Sequence, residues 1–316
     1  MQPIAITTFA DRLLLMYGPP RRAASTRRQI GQVLREIMAD PKVKRTYDLV
    51  PDAICRWMDR HPKRTAVTWR SHLRCLRVIC GHAAAMQCLR VSPFSMWRPG
   101  DWIRPDTGPQ SKPRPAHRQA DEIGRVLELA DSEAMAADWS ALRRRALVYV
   151  YAFTGMRAGE ALHLWVEDID LAQRVITIQA HREDDYRPKT LGSAAQLPIA
   201  DPLFGPLADW LPRPGCRWLF PGSKLRGPWT SGGPGVRPLD QVKELGARAG
   251  VPGLTIASFR KTFATLAPMW GFDQLELQRW LRHSSAATQQ WYIGRAVEVL
   301  RPSAKKPCFP RIAISA

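Results

Sequence analysis

The sequence predicts a mainly α-helical protein of two domains, with a small β-sheet in the second domain. Apolar residues recur at helical spacing through the first 89 residues, and no strand pattern interrupts them. A segment rich in Pro and Gly then breaks the helical pattern, and residues 174–179 later alternate in polarity as a half-buried strand does. At 316 residues, the chain is long enough to bury a core in each domain.

The first part of the chain is expected to form four or five helices between Thr7 and Leu89. The longest of them begins near Arg64, and its apolar face carries Trp69, Leu73, Leu76 and Cys80 at spacings of i, i+4, i+7 and i+11. A basic stripe of the same period lies beside this face and consists of Arg70, Arg74 and Arg77. The stripe either follows a phosphate backbone or is a solvated helix face, and the sequence leaves both interpretations open.

The best domain boundary is the basic, Pro-rich stretch between Trp97 and Ala116, because its composition favours an extended, non-helical linker. We expect an N-terminal domain at 1–98, a linker at 99–116, a second domain at 117–295 and a C-terminal tail at 296–316.

Two helices are expected to begin the second domain, at His117–Glu133 and Trp139–Thr154. Gly155 is expected to end the second of these helices. Arg157 then lies in the turn before another short helix.

The alternating segment Arg174–Gln179 is predicted to pair with a strand at Gln196–Ile199, with the turn at Asp185–Ser193. Pro198 has no backbone N–H, so the second strand is an edge strand or ends there. Further helices are predicted to begin near Asp240, Ala257, Gln274 and Ala286.

The charge balance points to nucleic acid as the partner. Forty-seven Lys and Arg against 28 Asp and Glu give a formal net charge of +19, which opposes compaction unless a polyanion binds. The apolar stretches are short and interrupted by charges, which argues against a membrane partner. The N-terminus has no secretory signal pattern, so we expect a cytoplasmic, nucleoid-associated protein.

Six cysteines in a chain of this length are too sparse for a disulfide scaffold. Four possible metal ligands cluster on one predicted helix: Cys75, Cys80, His82 and Cys88. They lack the paired Cys-x-x-Cys spacing that zinc sites favour, so no metal and no other cofactor is expected.

Four residues form a constellation suited to phosphodiester chemistry without a metal. Arg157 and Arg260 are candidates to neutralise the phosphate, because a guanidinium binds phosphate oxygens bidentately and stays charged. Tyr292 is a candidate nucleophile that would store the bond energy in a phosphotyrosine. His283, nine residues before it, can orient or deprotonate the tyrosine, or donate to the phosphate.

The motifs that contain these residues resemble the tyrosine recombinases, or phage-type integrases. Thr154-Gly155-Met156-Arg157-Ala158-Gly159-Glu160-Ala161-Leu162 resembles the family's first-arginine box, and Arg260-Lys261-Thr262-Phe263-Ala264-Thr265 its second. Leu281-Arg282-His283-Ser284-Ser285 through Tyr292 resembles the leucine-glycine-histidine box with its nucleophile. Pro188-Lys189-Thr190, followed by Leu197-Pro198-Ile199, resembles the hairpin with the catalytic lysine. The four matches occur in the family's order between residues 117 and 295.

The resemblance implies a site-specific recombinase that forms a 3′-phosphotyrosyl link through Tyr292. Arg157 and Arg260 would hold the scissile phosphate, Glu160 would support the site, and Lys189 would protonate the departing 5′ oxygen. By charge alone, Lys224 and Lys261 are alternatives to Lys189. Lys261 is also a candidate phosphate contact.

The chain departs from the family pattern at two positions. Ala257 stands where the family usually has histidine or another hydrogen-bond donor, and a lost donor to a developing oxyanion typically costs about 2.7 to 4 kcal/mol of transition-state stabilisation. Ser258 and Lys261 are candidates to replace that donor. Arg282 stands where glycine usually precedes the histidine, which calls the local turn into question.

The resemblance also implies an architecture and an assembly. The N-terminal domain would be a helical, SAM-like core-binding domain that clamps duplex DNA together with the α+β catalytic domain. A homotetramer, or a pair of recombinases, would act on DNA, and the tail would either dock on a neighbouring protomer or fold back. Two other functions stay open: a catalytically weakened DNA-binding accessory protein, and a type IB topoisomerase-like activity.

Overall fold

The structure is a computed structural model. It describes residues 4–17, 24–103, 117–136, 138–181, 183, 186, 188, 194–211, 216–222, 227–229 and 237–282. The chain divides into two compact units, Met1–Pro113 and Arg114–Ala316. No helix in these described ranges is both long and apolar enough to cross a lipid bilayer.

The first unit is helical, as the sequence predicts. Its α-helices are α1 (Ile6–Met16), α2 (Ala24–Met38), α3 (Pro51–Asp59) and α4 (Ala66–Ala85), with a short 3-10 helix at Thr46–Asp48. The helices enclose one core in which Trp57 and Trp69 meet edge to face, with ring centroids 5.0 Å apart. Such aromatic pairs add stabilisation beyond the area that they bury.

Helix α4 has one buried and one exposed face. Its predicted apolar residues, Trp69, Leu73, Leu76 and Cys80, are all buried. Arg70, Arg74 and Arg77 are exposed on another side of the helix. The basic stripe is therefore open to solvent and available to a ligand.

The second unit combines helices with a small sheet. Its helices are α5 (Ala120–Ala134), α6 (Trp139–Thr154), α7 (Ala158–Leu162), α8 (Asp201–Trp210), α9 (Pro238–Arg248), α10 (Ile256–Leu266) and α11 (Gln274–Leu281). Its strands are β1 (Ile169–Asp170), β2 (Val175–Ile178) and β3 (Ala195–Pro198), and 3-10 helices lie at Val166–Asp168 and Ala267–Trp270. Helix α6 is central, because residues 146–154 are all buried and α5, α8 and α10 pack around it.

The three strands form an antiparallel sheet in the order β1-β2-β3. Val175 pairs with Pro198, and Ile178 pairs with Ala195. Pro198 is thus the last residue of an edge strand, which confirms the sequence-based expectation.

Helix α8 is not predicted by the sequence analysis, because Pro202, Gly205 and Pro206 in ten residues argue against a helix. Pro202 lies in the first turn, where its missing N–H costs no hydrogen bond. Leu207 and Trp210 anchor the helix in the core despite Pro206 in its interior. Tertiary burial here outweighs local propensity.

Gly155 ends α6 in the left-handed conformation, with φ of 59°, and its N–H donates to Tyr151 O. A Cβ at this position would lie 2.8 Å from Leu281 Cδ2 and 3.1 Å from Phe263 Cδ1. Only glycine therefore satisfies both the backbone conformation and the close approach of α10 and α11.

We predict that Gly155→Ala lowers the free energy of unfolding by about 3 kcal/mol, because it adds left-handed strain to a steric overlap. Gly159→Ala is the matched control, since a Cβ at that exposed glycine meets nothing within 4 Å. The control should stay within about 1 kcal/mol of wild type. Urea unfolding measures both variants, and equal effects would contradict this account of Gly155.

Candidate active site

Arg260 joins three helices at the centre of the site. It lies on α10 and is 3% exposed. Its Nη1 donates to Gly155 O (2.6 Å), just beyond the end of α6, and its Nη2 donates to Leu281 O (2.5 Å), at the end of α11. Helix ends leave carbonyl oxygens without intrahelical partners and carry partial negative charge, so they stabilise a buried cation.

Glu160 holds Arg157, which lies three residues beyond the end of α6. Arg157 is the N-cap residue of α7, and Glu160 in the first turn accepts its backbone N–H (Oε2, 2.9 Å) and its Nη1 (Oε1, 2.6 Å). Arg157 Nη2 donates to Arg282 O at 3.3 Å. About 25% of the Arg157 side chain remains exposed, so it can reach a ligand.

Arg282 occupies the position that the sequence analysis flagged as a departure from glycine. The residue adopts the left-handed conformation (φ 54°, ψ 48°) that glycine would favour, so the expected turn is kept. Its guanidinium is buried and donates to Glu160 Oε2 (2.6 Å) and to Trp280 O (2.8 Å). No local motif predicts this ion pair, because its partners are 122 residues apart.

Glu160 is ionised within this cluster. Burial by itself raises the pKa of its carboxyl group, but the charge of Arg282 and the hydrogen bonds and charge of Arg157 outweigh burial. The pKa of Glu160 is therefore held below its ordinary value of 4.5.

The N-terminus of α10 shows what replaces the family's usual donor. Ala257 is exposed and has no donor group. Ser258 is buried, and its Oγ accepts from Thr255 N (3.2 Å) and lies 2.8 Å from Thr255 Oγ1 in the helix cap. The suggestion that Ser258 replaces the donor is therefore not supported, since its hydroxyl serves the cap. Lys261 is half-buried beside Arg260 and stays a candidate.

Stacked rings fix the chain shortly after β2, a few residues before Lys189 in the sequence. His181 stacks on Trp165 with ring centroids 3.9 Å apart, and its Nε2 lies 2.8 Å from Asp168 Oδ2. Tyr186 pairs with His181 through two backbone hydrogen bonds of 3.1 Å and stacks on His163 at 4.2 Å. These contacts hold the chain against the end of α7 three residues before Lys189.

Tyr186 lies close to the arginine cluster, although no motif in the sequence marks it. Burial, reinforced by the charge of Glu160, raises the pKa of its hydroxyl group. Its ring stacks on His163, and ring packing is the role that these surroundings support.

The structure brings together Arg157, Glu160 and Arg260. Four candidate residues lie outside the described part of the chain: Lys189, Lys224, His283 and Tyr292. Residues 286 onwards and most of the predicted turn at Asp185–Ser193 lie outside it as well. Among the residues that are described, no group of three or more His, Cys, Asp or Glu side chains is arranged to hold a metal ion.

We predict that Glu160→Gln lowers the free energy of unfolding by about 3 kcal/mol at pH 7, because it leaves buried Arg282 without its counter-ion. The pKa of Glu160 is lowered in the folded state, so its ionised form contributes fully above the ordinary value of 4.5. That contribution disappears as the pH falls through the lowered pKa. Urea unfolding between pH 7 and pH 3 measures the difference, and a pH-independent difference would contradict the assignment.

Comparisons with known proteins identify relatives of the second unit. A profile of the phage integrase family matches residues 119–298, more than half of the chain. The tyrosine recombinase XerC of Mycobacterium sp. (strain KMS) is 31% identical over 196 residues, covering 59% of this chain and 61% of that protein. XerC of Mycobacterium leprae (strain TN) is 30% identical over 189 residues, with the same coverage. The match thus spans about three fifths of these curated relatives.

Two solved structures share the fold over nearly the whole chain. The Tn1549 transposon integrase, in complex with transposon right end DNA, has a TM-score of 0.67 at 17% identity, covering 93% of this chain and 96% of that one. A lambda integrase dimer bound to a COC′ core site has a TM-score of 0.64 at 17% identity, covering 96% and 81%. The family profile and the fold agree with the motifs. The chain belongs to the phage integrase family of tyrosine recombinases.

Proposed function

We propose that this protein is a site-specific DNA recombinase that cleaves and rejoins DNA through a 3′-phosphotyrosyl intermediate on Tyr292. One observation carries the proposal. Arg157 and Arg260 donate to the carbonyl oxygens of Arg282 and Leu281, the two residues directly before His283. Both guanidiniums are thereby fixed at the start of the segment that contains the histidine and the tyrosine.

The reaction requires neutralisation of the phosphate charge, a nucleophile and an acid. Arg157 and Arg260 would bind the non-bridging oxygens of the scissile phosphate, in a setting where preorganised cations stabilise developing negative charge. The Tyr292 oxygen would attack phosphorus while the bond to the 5′ oxygen of the next nucleotide breaks. The new P–O bond would conserve the energy of the broken one, so rejoining needs no external energy source.

Proton transfer would be divided between two residues that lie outside the described part of the chain. His283 would orient Tyr292 and accept its proton, or donate to the phosphate. Lys189 would protonate the departing 5′ oxygen. This division assigns no step to a metal ion or a cofactor.

Duplex DNA is the proposed substrate. The net charge of +19 and the exposed stripe of α4 favour a polyanion, and the Tn1549 integrase of similar fold was solved in complex with DNA. We propose that the first unit and the second unit bind the duplex together. Such a DNA-bound protein would reside in the cytoplasm with the nucleoid.

The proposed assembly on DNA is a homotetramer or a pair of recombinases. An apolar groove borders β3 and α11 and is lined by Ala195, Gln196, Leu197, Phe272, Glu276, Arg279 and Trp280. It would accept the apolar residues of the tail 296–316 from a neighbouring protomer. Folding back of the tail onto its own domain is the alternative.

Exposed Ala257 favours a second candidate function, a catalytically weakened accessory protein that binds DNA. The missing donor would slow phosphoryl transfer while leaving DNA binding intact.

We predict a metal-independent covalent adduct between the wild-type protein and nicked duplexes drawn from the DNA flanking its gene. In EDTA, wild type should give a slowly migrating protein–DNA band on a denaturing gel. Tyr292→Phe should bind the duplexes and give no band, because the nucleophilic oxygen is gone. Tyr47→Phe is the matched control, since that tyrosine is 47% exposed in the first unit, and it should retain the band.

An adduct that survives Tyr292→Phe would refute the assigned nucleophile. Duplexes that are bound and never linked would favour the accessory function. In that case Ala257→His tests whether restoring a donor restores the adduct.

A second prediction concerns the basic stripe on α4. A triple variant with Arg70→Gln, Arg74→Gln and Arg77→Gln should weaken DNA binding, because each arginine that contacts a phosphate releases a counter-ion. The slope of log K against log salt concentration should become shallower by about 3, roughly one per lost contact. Fluorescence anisotropy over a salt series measures the slope.

The control variant removes three exposed basic residues elsewhere in the same unit. It carries Lys42→Gln, Lys44→Gln and Arg45→Gln. A slope reduction as large as that of the α4 variant would show that general charge, rather than the stripe, sets the affinity.

A further inference from the structure

Arg282 has two features that are unfavourable by themselves. It is a non-glycine residue in the left-handed conformation, with φ of 54°, and it is 5% exposed although it carries a charge. A glycine would adopt the same backbone conformation without either disadvantage. The side chain therefore has a role that the turn alone does not require.

The contacts of Arg282 exclude a direct role at the phosphate. Its side chain is 1% exposed and that of Glu160 is 2% exposed. Its Nη2 and Nη1 are directed to Glu160 Oε2 and Trp280 O. Arg282 can therefore influence the reaction only through the groups that it contacts.

Arg157 is the group that Arg282 controls. The carboxylate of Glu160 lies between the two guanidiniums, with Oε1 bound to Arg157 Nη1 and Oε2 bound to Arg282 Nη2. The backbone carbonyl of Arg282 accepts from Arg157 Nη2 as well. Arg157 is thus held by Arg282 twice, directly through the backbone and indirectly through Glu160.

The ion pair also changes the charge that Arg157 presents. In an isolated pair, Glu160 would balance the charge of Arg157 completely. With Arg282 bound to the same carboxylate, one negative charge is shared between two cations, and Arg157 keeps more of its attraction for an anion.

We propose that Arg282 is a positioning residue for strand cleavage: it shares the charge of Glu160 and so keeps Arg157 oriented and cationic toward the scissile phosphate. The inference rests on the proposed function. Arg282 stands where the family usually has glycine. Its side chain would help to compensate for the hydrogen-bond donor that is missing at Ala257.

The test compares single-turnover cleavage by wild type and Arg282→Gly on two nicked duplexes that differ at the scissile position, one with an ordinary phosphate and one with a neutral methylphosphonate. Glycine tolerates the left-handed turn, so the variant is expected to fold. On the phosphate, its cleavage rate should fall about tenfold or more, as is typical when a supporting partner is removed from a site, while its DNA dissociation constant changes less than threefold.

On the methylphosphonate, the rates of Arg282→Gly and wild type should differ by less than about threefold, because there is less negative charge for Arg157 to stabilise. A fault in folding would instead lower the cleavage rates of both substrates by the same factor. Arg282→Lys keeps a cation and should cleave the phosphate at a rate between those of wild type and Arg282→Gly. Lys243→Gln, which removes an exposed cation on α9, should keep the wild-type ratio between the substrates.

The outcomes separate the two proposals. If wild type cleaves neither substrate, the proposed function fails, and this inference fails with it. If wild type cleaves and Arg282→Gly cleaves the phosphate equally fast, or slows equally on both substrates, the inference is overturned and the proposed function stands.

Discussion

The site depends on one interaction, the pair of hydrogen bonds from the buried guanidinium of Arg260 to Gly155 O and Leu281 O. A charge in a protein interior is costly unless polar groups surround it. Here the end of α6 and the end of α11 supply them, because both expose carbonyl oxygens that no helical N–H can reach. The same bonds that stabilise the arginine therefore fix the two segments of chain that flank the site.

The surrounding packing fits this constraint. Gly155 has no side chain, which lets Leu281 and Phe263 approach the end of α6. Trp280 donates its indole N–H to Thr154 O at 3.1 Å and stacks on Phe263 with ring centroids 5.9 Å apart. Helices from three separate parts of the sequence thus meet with little freedom to shift, which is the rigidity that preorganised electrostatic catalysis requires.

Local signals in the sequence predicted much of this arrangement. The helix Trp139–Thr154 and its end at Gly155 follow from apolar periodicity and from the need for a left-handed residue. The strand pair follows from alternation, and Pro198 marks its edge. The first and second arginine boxes were found because each is contiguous in the sequence.

What the sequence did not predict depends on contacts between distant segments. The pairing of Arg282 with Glu160 and the stack of Tyr186 on His163 have no local pattern. The direction of the Ser258 side chain depends on the helix cap formed with Thr255. These features decide how charge is distributed in the site, so they are the ones for which a structure was needed.

The most direct test of the account is to identify the amino acid that becomes linked to DNA. A covalent adduct formed in EDTA would be trimmed with nuclease and protease and sequenced by tandem mass spectrometry. The account predicts a nucleotide attached through a 3′-phosphate to the oxygen of Tyr292. Attachment to Tyr186 or to a serine would contradict it, as would a wild-type protein that binds its target duplex and yields no linked peptide.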